Sequence, residues 1–187
     1  MTSGGTCLAL LRGINVGGRN VIRMADLRNC FEAEGFRDVV TYIQSGNVIF
    51  RSPSSGPGAL TVRIEEMLAA AFDYKAKVAV RSRKQMRAVV EGAPPGFGAR
   101  PDVCRYDVLF LMAPLTATDA MKHVRARPGV DEVRASKDVL YFSRLIEKAS
   151  RSHLNRIASM PVYQSMTIRN WKTTTRLLQL MGGDGDG

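Results

Sequence analysis

The chain predicts an α+β fold of two stacked α/β subdomains, and three observations carry that expectation. Residues 1–81 alternate strand and helix periodicities in the order β-α-β-β-α-β, the split βαβ or ferredoxin-like arrangement. Residues beyond Ser82 repeat strand, helix, strand, strand as a related unit, followed by C-terminal helices and without detectable identity to the first half. With 187 residues, 45% of them hydrophobic, the chain can bury cores of this kind. The expected division is therefore 1–81, a ferredoxin-like subdomain, and 82–181, a second α+β subdomain, with 182–187 a disordered tail.

Each element has a local reason. Cys7 to Leu11 is a short continuous apolar run, the pattern of a buried strand. Met24 to Glu34 puts Leu27, Cys30 and Phe31 on one helical face. Gly35 suits the left-handed residue that closes this helix, with Phe36 packing back on it. Val39–Gln44 and Val48–Phe50 are strands joined by the turn Ser45-Gly46-Asn47. Side-chain alternation sets Val39, Ile43, Val48 and Phe50 on one face, and Val40, Tyr42, Gln44 and Ile49 on the other. Leu60 to Phe72 is a helix with Ile64, Leu68 and Phe72 along one side, and Lys77 to Val80 is a fourth strand. Ser82 caps a helix over Met86–Val90, which Ala93-Pro94-Pro95-Gly96 breaks. A strand at Asp107–Met112, a helix at Ala117–Arg127 and a hairpin of Glu132–Ala135 with Val139–Phe142 follow. A last helix runs from Asn170 to Met181.

Composition excludes several classes. No apolar run approaches the roughly 20 residues of a membrane span. The N-terminal apolar stretch is interrupted by Arg12 before any signal-peptide cleavage site, which places the chain in the cytoplasm with no membrane partner. Cys7, Cys30 and Cys104 are far apart, and with His123 and His153 they show no metal-ligand spacing, so reduced thiols and no metal are expected. Nothing in the residues requires a cofactor. The net charge of +10 predicts attraction to polyanions or anionic ligands. Genome composition is the other account of it, since 20 of the 27 basic residues are arginine. Residues 1–81 carry net +3 and 82–187 net +7, so the positive field lies mainly in the second half.

Gly13 to Asn20 has the glycine spacing of a phosphate-binding P-loop, but Arg19 and Asn20 replace its Lys and its Ser/Thr. Val21-Ile22-Arg23 does not begin a helix at once, which removes the N-terminal dipole from the loop. Nucleotide hydrolysis is not expected. The split βαβ order suggests another use. Strands 1 and 2 are parallel with strand 3 between them, so the loop after strand 1 and the turn after strand 2 leave the sheet at the same edge. This gathers Arg12, Asn15, Gly17 and Gly18 with Gln44, Ser45 and Asn47, and the turn Asp73-Tyr74-Lys75 reaches the same edge. The set is rich in donors and holds no histidine or paired carboxylate, which suits holding an anion or a sugar better than moving protons. Tight turns and a snorkelling Arg12 would explain the same residues structurally.

Three stretches, "LALLRGINVGGRNVIRMADLRNCFEAEGFRDVVTYIQSGNVIF" from Leu8, "SRSHL" from Ser150 and "MTIRNWKTTTRLLQL" from Met166, resemble the "domain of unknown function 1697" family of bacterial proteins. The resemblance implies a two-part α+β protein with no established activity. The family's motif residues fall on Arg12, Gly13, Asn15, Gly17, Gly18, Gln44, Ser45, Gly46, Asn47, Ser152, Arg169, Asn170, Trp171 and Thr174. His153 stands where similar proteins tend to have Lys, and Glu147-Lys148-Ala149-Ser150 replaces a glycine-containing turn.

Arg169-Asn170-Trp171 is expected to open the last helix, with its N–H groups facing an anion or Asn170 acting as the N-cap. Trp171 is expected in core packing. Ser152 is a cap or an anion donor, and His153 an exposed polar residue. Three functions remain open. One is a binding module whose donor-rich edge and second-half arginines engage the phosphate groups of a nucleic acid or nucleotide. The second is an enzyme on a small phosphorylated substrate in the cleft between the halves, with Arg12 and Arg169 as clamps. The third is a non-catalytic interaction protein in which Arg12, Asn47 and Arg169 are buried in hydrogen bonds. An ordinary RNA-recognition motif is excluded, because strand 1 carries no stacking aromatic and Val48 to Arg51 lacks the RNP1 pattern.

Overall fold

The structure, a computed structural model, describes residues 5–15, 21–52, 56–72 and 75–182. In the first half, β1 (Gly5–Arg12), α1 (Met24–Ala33), β2 (Arg37–Tyr42), β3 (Asn47–Ser52), α2 (Pro57–Ala71) and β4 (Lys77–Ser82) follow the expected order. Their sheet runs β2-β3-β1-β4 with all neighbours antiparallel. This is the ferredoxin-like arrangement, with the continuous apolar run Cys7–Leu11 at its centre, buried on both faces.

Helix spacing explains how the sheet is covered. Leu27 and Phe31 of α1, and Leu60, Ile64 and Leu68 of α2, bury one stripe each against Ala9, Leu11, Val48, Phe50, Val78 and Val80. Phe31, Phe36 and Phe50 form a tight ring cluster, with centroids 4.6 to 5.6 Å apart. Gly35 ends α1 at φ 89°, and the Phe36 and Gly35 amides donate to the carbonyls of Phe31 and Glu32. That is the paired hydrogen-bond signature of a Schellman cap. At the start of α3 (Arg83–Glu91), Ser82 Oγ accepts from the Gln85 amide at 3.2 Å and Gln85 Oε1 accepts from the Ser82 amide at 2.8 Å. Two otherwise unpaired amides are thereby satisfied reciprocally.

In the second half, β5 (Cys104–Leu111), α4 (Ala117–His123), β6 (Asp131–Ala135), β7 (Val139–Leu145), α5 (Leu154–Ile157), β8 (Met166–Asn170) and α6 (Trp171–Leu180) form the same arrangement again. Its sheet order, β6-β7-β5-β8, matches that of the first sheet position by position. The place of α2 is taken by two 3-10 turns, Ile146–Arg151 and Pro161–Ser165, with α5 between them.

Three expectations change here. The fourth strand, β8, falls where the sequence pattern suggested the opening of the last helix, because Met166 and Ile168 face the core while Thr167 and Arg169 take the other face. Helix α4 stops at His123 and not at Arg127, as Pro128 disfavours helical geometry in the residue before it. Ile43 leaves the face of Val48 and Phe50 and is 48% exposed, because it sits in the turn with φ 49°.

The chain divides into compact units Met1–Arg87 with Leu177–Gly187, and Ala88–Arg176, so the division passes through α3 and α6. Most of the expected tail, 183–187, lies outside the described residues. Phe31 is fully buried at the centre of the ring cluster. Phe31→Ala is expected to cost about 3–5 kcal/mol, read as a lowered urea midpoint with an unchanged m-value.

Candidate functional site

The register of the first sheet builds the candidate edge. Leu10 pairs with Asn47 of β3 and Arg12 with Lys77 of β4, so the end of β1, the β2–β3 turn and the start of β4 meet there. The Leu11 amide donates to the Gly46 carbonyl at 2.8 Å. Gly46, at φ 69°, packs so closely that an added Cβ would lie 2.8 Å from Leu11 Cβ and 2.7 Å from Ile14 Cδ1. Only glycine meets both the conformation and the space.

Two asparagines lock the loops. Asn15 Nδ2 donates to the carbonyls of Ile22 (3.0 Å) and Gln44 (2.9 Å), while its Oδ1 accepts from the Ile22 amide at 2.9 Å. One side chain therefore closes the loop after β1 and ties it to the β2–β3 turn. Asn47 is fully buried, and its Nδ2 donates to the Tyr42 carbonyl and to Ser45 Oγ, both at 2.9 Å. The backbone is left-handed at Gly13 (φ 70°), Asn15 (53°), Ile43 (49°) and Gly46 (69°). For β-branched Ile43 this is a strained conformation.

The structure thus brings together Arg12, Asn15, Gln44, Ser45 and Asn47. Gln44 is exposed, Arg12 and Ser45 are half-buried, and Asn15 and Asn47 are occupied in holding the loops. Gly17 and Gly18, with Asp73 and Tyr74, lie outside the described residues.

The other expected residues belong to the second unit. Asn170 caps α6, its Oδ1 accepting from the Thr173 amide at 2.7 Å. Arg169 lies within β8, not at the helix start, and is 7% exposed. Its Nη1 donates to Thr167 Oγ1 (2.8 Å) and to the Ile168 carbonyl (2.9 Å). Burial lowers its pKa to about 10. Ser152 is buried, and its Oγ accepts from the Leu154 amide at 3.2 Å. His153 is half-buried and not exposed, because its amide donates to Asp131 Oδ2 at 2.9 Å. Trp171 packs edge-on against Phe97, with centroids 5.1 Å apart.

Asp107 is a buried carboxylate that the sequence pattern did not single out. Among the described residues its Oδ2 has no hydrogen-bond partner, and Arg144 Nη2 stays 3.6 Å away, too far for a hydrogen bond. Burial raises its pKa, opposed by the charges of Arg144 and Arg105. Burial also raises the Cys7 and Cys30 thiols, so neither is an activated thiolate. Among the described residues, no group of His, Cys, Asp and Glu could hold a metal ion, and no helix is long and apolar enough to cross a membrane.

Asn47→Ala removes the side-chain donor to the Tyr42 carbonyl and to Ser45 Oγ and is expected to cost about 2 kcal/mol, whereas Gly46→Ala, strained and clashing, is expected to cost at least as much. Both are read by chemical denaturation. Because the native state holds the Asp107 proton more tightly than the unfolded chain, stability should fall as pH rises from the ordinary aspartate value through the raised one. In Asp107→Asn that portion of the slope should vanish, as measured by denaturation across pH 3.5 to 7 (an assay range of about three units).

The family described as "Protein of unknown function (DUF1697)" matches residues 5–141. The fold is similar to that in "The structure of conserved bacterial protein SP0830 from Streptococcus pneumoniae", at TM-score 0.82 and 27% sequence identity over 95% of this chain and 98% of that one. No curated protein matches the chain.

Proposed function

The chain belongs to this family of unknown function, and we propose that it is a binding protein whose first unit holds a phosphate-bearing ligand of the nucleic-acid type at the edge built by Arg12, Gln44 and residues 13–15 after β1. The observation that carries this reading is Ile43. A β-branched residue is held left-handed and 48% exposed, beside a loop that Asn15 ties down with three hydrogen bonds. Strain kept at an exposed edge is a mark of a functional surface. The chemistry agrees, since a guanidinium, a side-chain amide and main-chain N–H groups beside glycines are phosphate ligands. Asn15 and Asn47 act here as positioning residues, and Ser152, Arg169 and Asn170 belong to the second unit. The three free cysteines support a cytoplasmic location.

The burial of Asn47 and Arg169 in hydrogen bonds favours, for those two residues, the reading in which the motifs are structural. Titration of the purified protein with labelled single-stranded RNA, single-stranded DNA and duplex DNA at two salt concentrations tests the proposal. Affinity should fall steeply with salt, and Arg12→Ala should weaken binding and reduce the salt slope by about one. Lys137→Ala, in the exposed β6–β7 turn, should change it less. Absence of binding at low salt, or equal loss in both variants, would remove the edge as a phosphate site.

A further inference from the structure

The second unit contains a recess of about 850 Å³ whose lining includes none of the motif residues named for the candidate site. Its floor is the face of β5, β6 and β7 turned away from α4 and α5. The register makes this plain: Tyr106 pairs with Ser143, Ser143 with Glu132, and Tyr141 with Arg134, so these five side chains share one face. Leu109, Leu140 and Phe142 occupy the opposite, core-facing side. The wall is the segment from Pro94 to Arg100, whose Phe97 packs edge-on against Tyr106 (5.0 Å) and Tyr141 (5.3 Å). Two hydroxyls pin the surrounding chain. Tyr106 Oη accepts from the Arg100 amide at 3.3 Å, and Tyr141 Oη donates to the Val89 carbonyl at 2.6 Å.

The lining is chemically mixed in a specific way. Tyr106 offers a half-exposed aromatic surface beside Pro94 and Pro95, while Ser143 and Glu132 supply a hydroxyl and a carboxylate. Arg100 and Arg134 are exposed at this recess, and among the described residues their guanidinium groups make no hydrogen bond or ion pair. In sheets of this topology the two central strands present aromatics that stack nucleic-acid bases on the helix-free face. Here β5 and β7 are those strands, and Tyr106 and Tyr141 stand on the corresponding face, where the Tyr141 hydroxyl is taken up by the Val89 carbonyl of α3. A running polynucleotide would need the face open, but Phe97 and its segment lie across it. What remains has the volume of a small-ligand site.

We propose that this recess binds a mononucleotide, with the base against Tyr106, the phosphates held by Arg100 and Arg134, and Ser143 and Glu132 bonding base or ribose. Aromatic stacking and two free guanidinium groups are jointly satisfied by a ring that carries phosphate and by neither half alone. The site lies in a different unit from the edge proposed above and stands or falls separately from it.

The protein carries its own reporter. Trp171 is the only tryptophan and sits against Phe97, which touches both tyrosines of the recess. Calorimetric titration with ATP and with GTP, followed in parallel by Trp171 fluorescence, should show binding of at least one nucleotide. Adenosine or guanosine alone, and inorganic triphosphate alone, should each bind at least about tenfold more weakly. Tyr106→Leu and Arg134→Ala should each weaken nucleotide binding by about tenfold, while Lys122→Ala leaves it unchanged. Arg134 is exposed on edge strand β6, so its variant decides the matter if Tyr106→Leu loses its fold. No binding of either nucleotide, triphosphate binding as tightly as ATP, or nucleotide binding unaffected by Arg134→Ala would each overturn the proposal. So would Tyr106-dependent binding of an RNA oligomer tighter than that of either nucleotide. The nucleic-acid titration of Arg12→Ala reads the first unit's edge independently of all these results.

Discussion

The arrangement of the first unit depends on the close approach of the β2–β3 turn to the end of β1. Because β3 lies between β1 and β2, the turn that starts β3 must abut the last residues of β1, and the hydrogen bond from the Leu11 amide to the Gly46 carbonyl is the result. The contact is so tight that position 46 has no room for a side chain. It also buries Asn47 completely. A buried amide without partners would cost several times the worth of an ordinary hydrogen bond, so Asn47 turns inward to Tyr42 and Ser45. The strain at Ile43 and the three bonds of Asn15 follow from holding two loops in that small space.

The same strand order serves two different ends in the two units. In the first, two helices of ten and fifteen residues cover one face, and the chemistry gathers at a sheet edge. In the second, short turns replace the longer helix, and a segment rich in proline and glycine lies over an aromatic face. Fold likeness alone therefore says little about use, since function belongs to sites built upon it. The similarity to SP0830, which spans nearly both chains, is a statement about this doubled architecture.

Buried charge separates the motifs further. Arg169 stays inside β8 with its guanidinium bonded to Thr167 and to its own strand, and its burial lowers its pKa. Asp107 shows the converse, a carboxylate whose burial outweighs the attraction of Arg144. Neither behaves as an exposed anion clamp would.

Much of the architecture was readable along the chain because it rests on neighbours in sequence. The apolar run Cys7–Leu11, the helical spacing of Leu60, Ile64 and Leu68, the Gly35 cap, the Ser82–Gln85 capping box and the Asn170 cap all involve residues within a few positions of one another. The alternation Met166, Ile168 against Thr167, Arg169 was a strand signal too, but it was short and adjoined a strong helical pattern. Other features had no local signature. Asn15 finds its partners 7 and 29 residues away, Tyr141 finds Val89 52 residues away, and the recess around Tyr106 exists only once the 94–100 segment folds over the sheet. The sequence by itself determined the elements of the first unit, their order and the gathering of Arg12, Asn15, Gln44, Ser45 and Asn47 at one edge. Tertiary structure alone decided which of those side chains are spent on holding the fold, because a polar group's role depends on the distant partners that burial forces it to take.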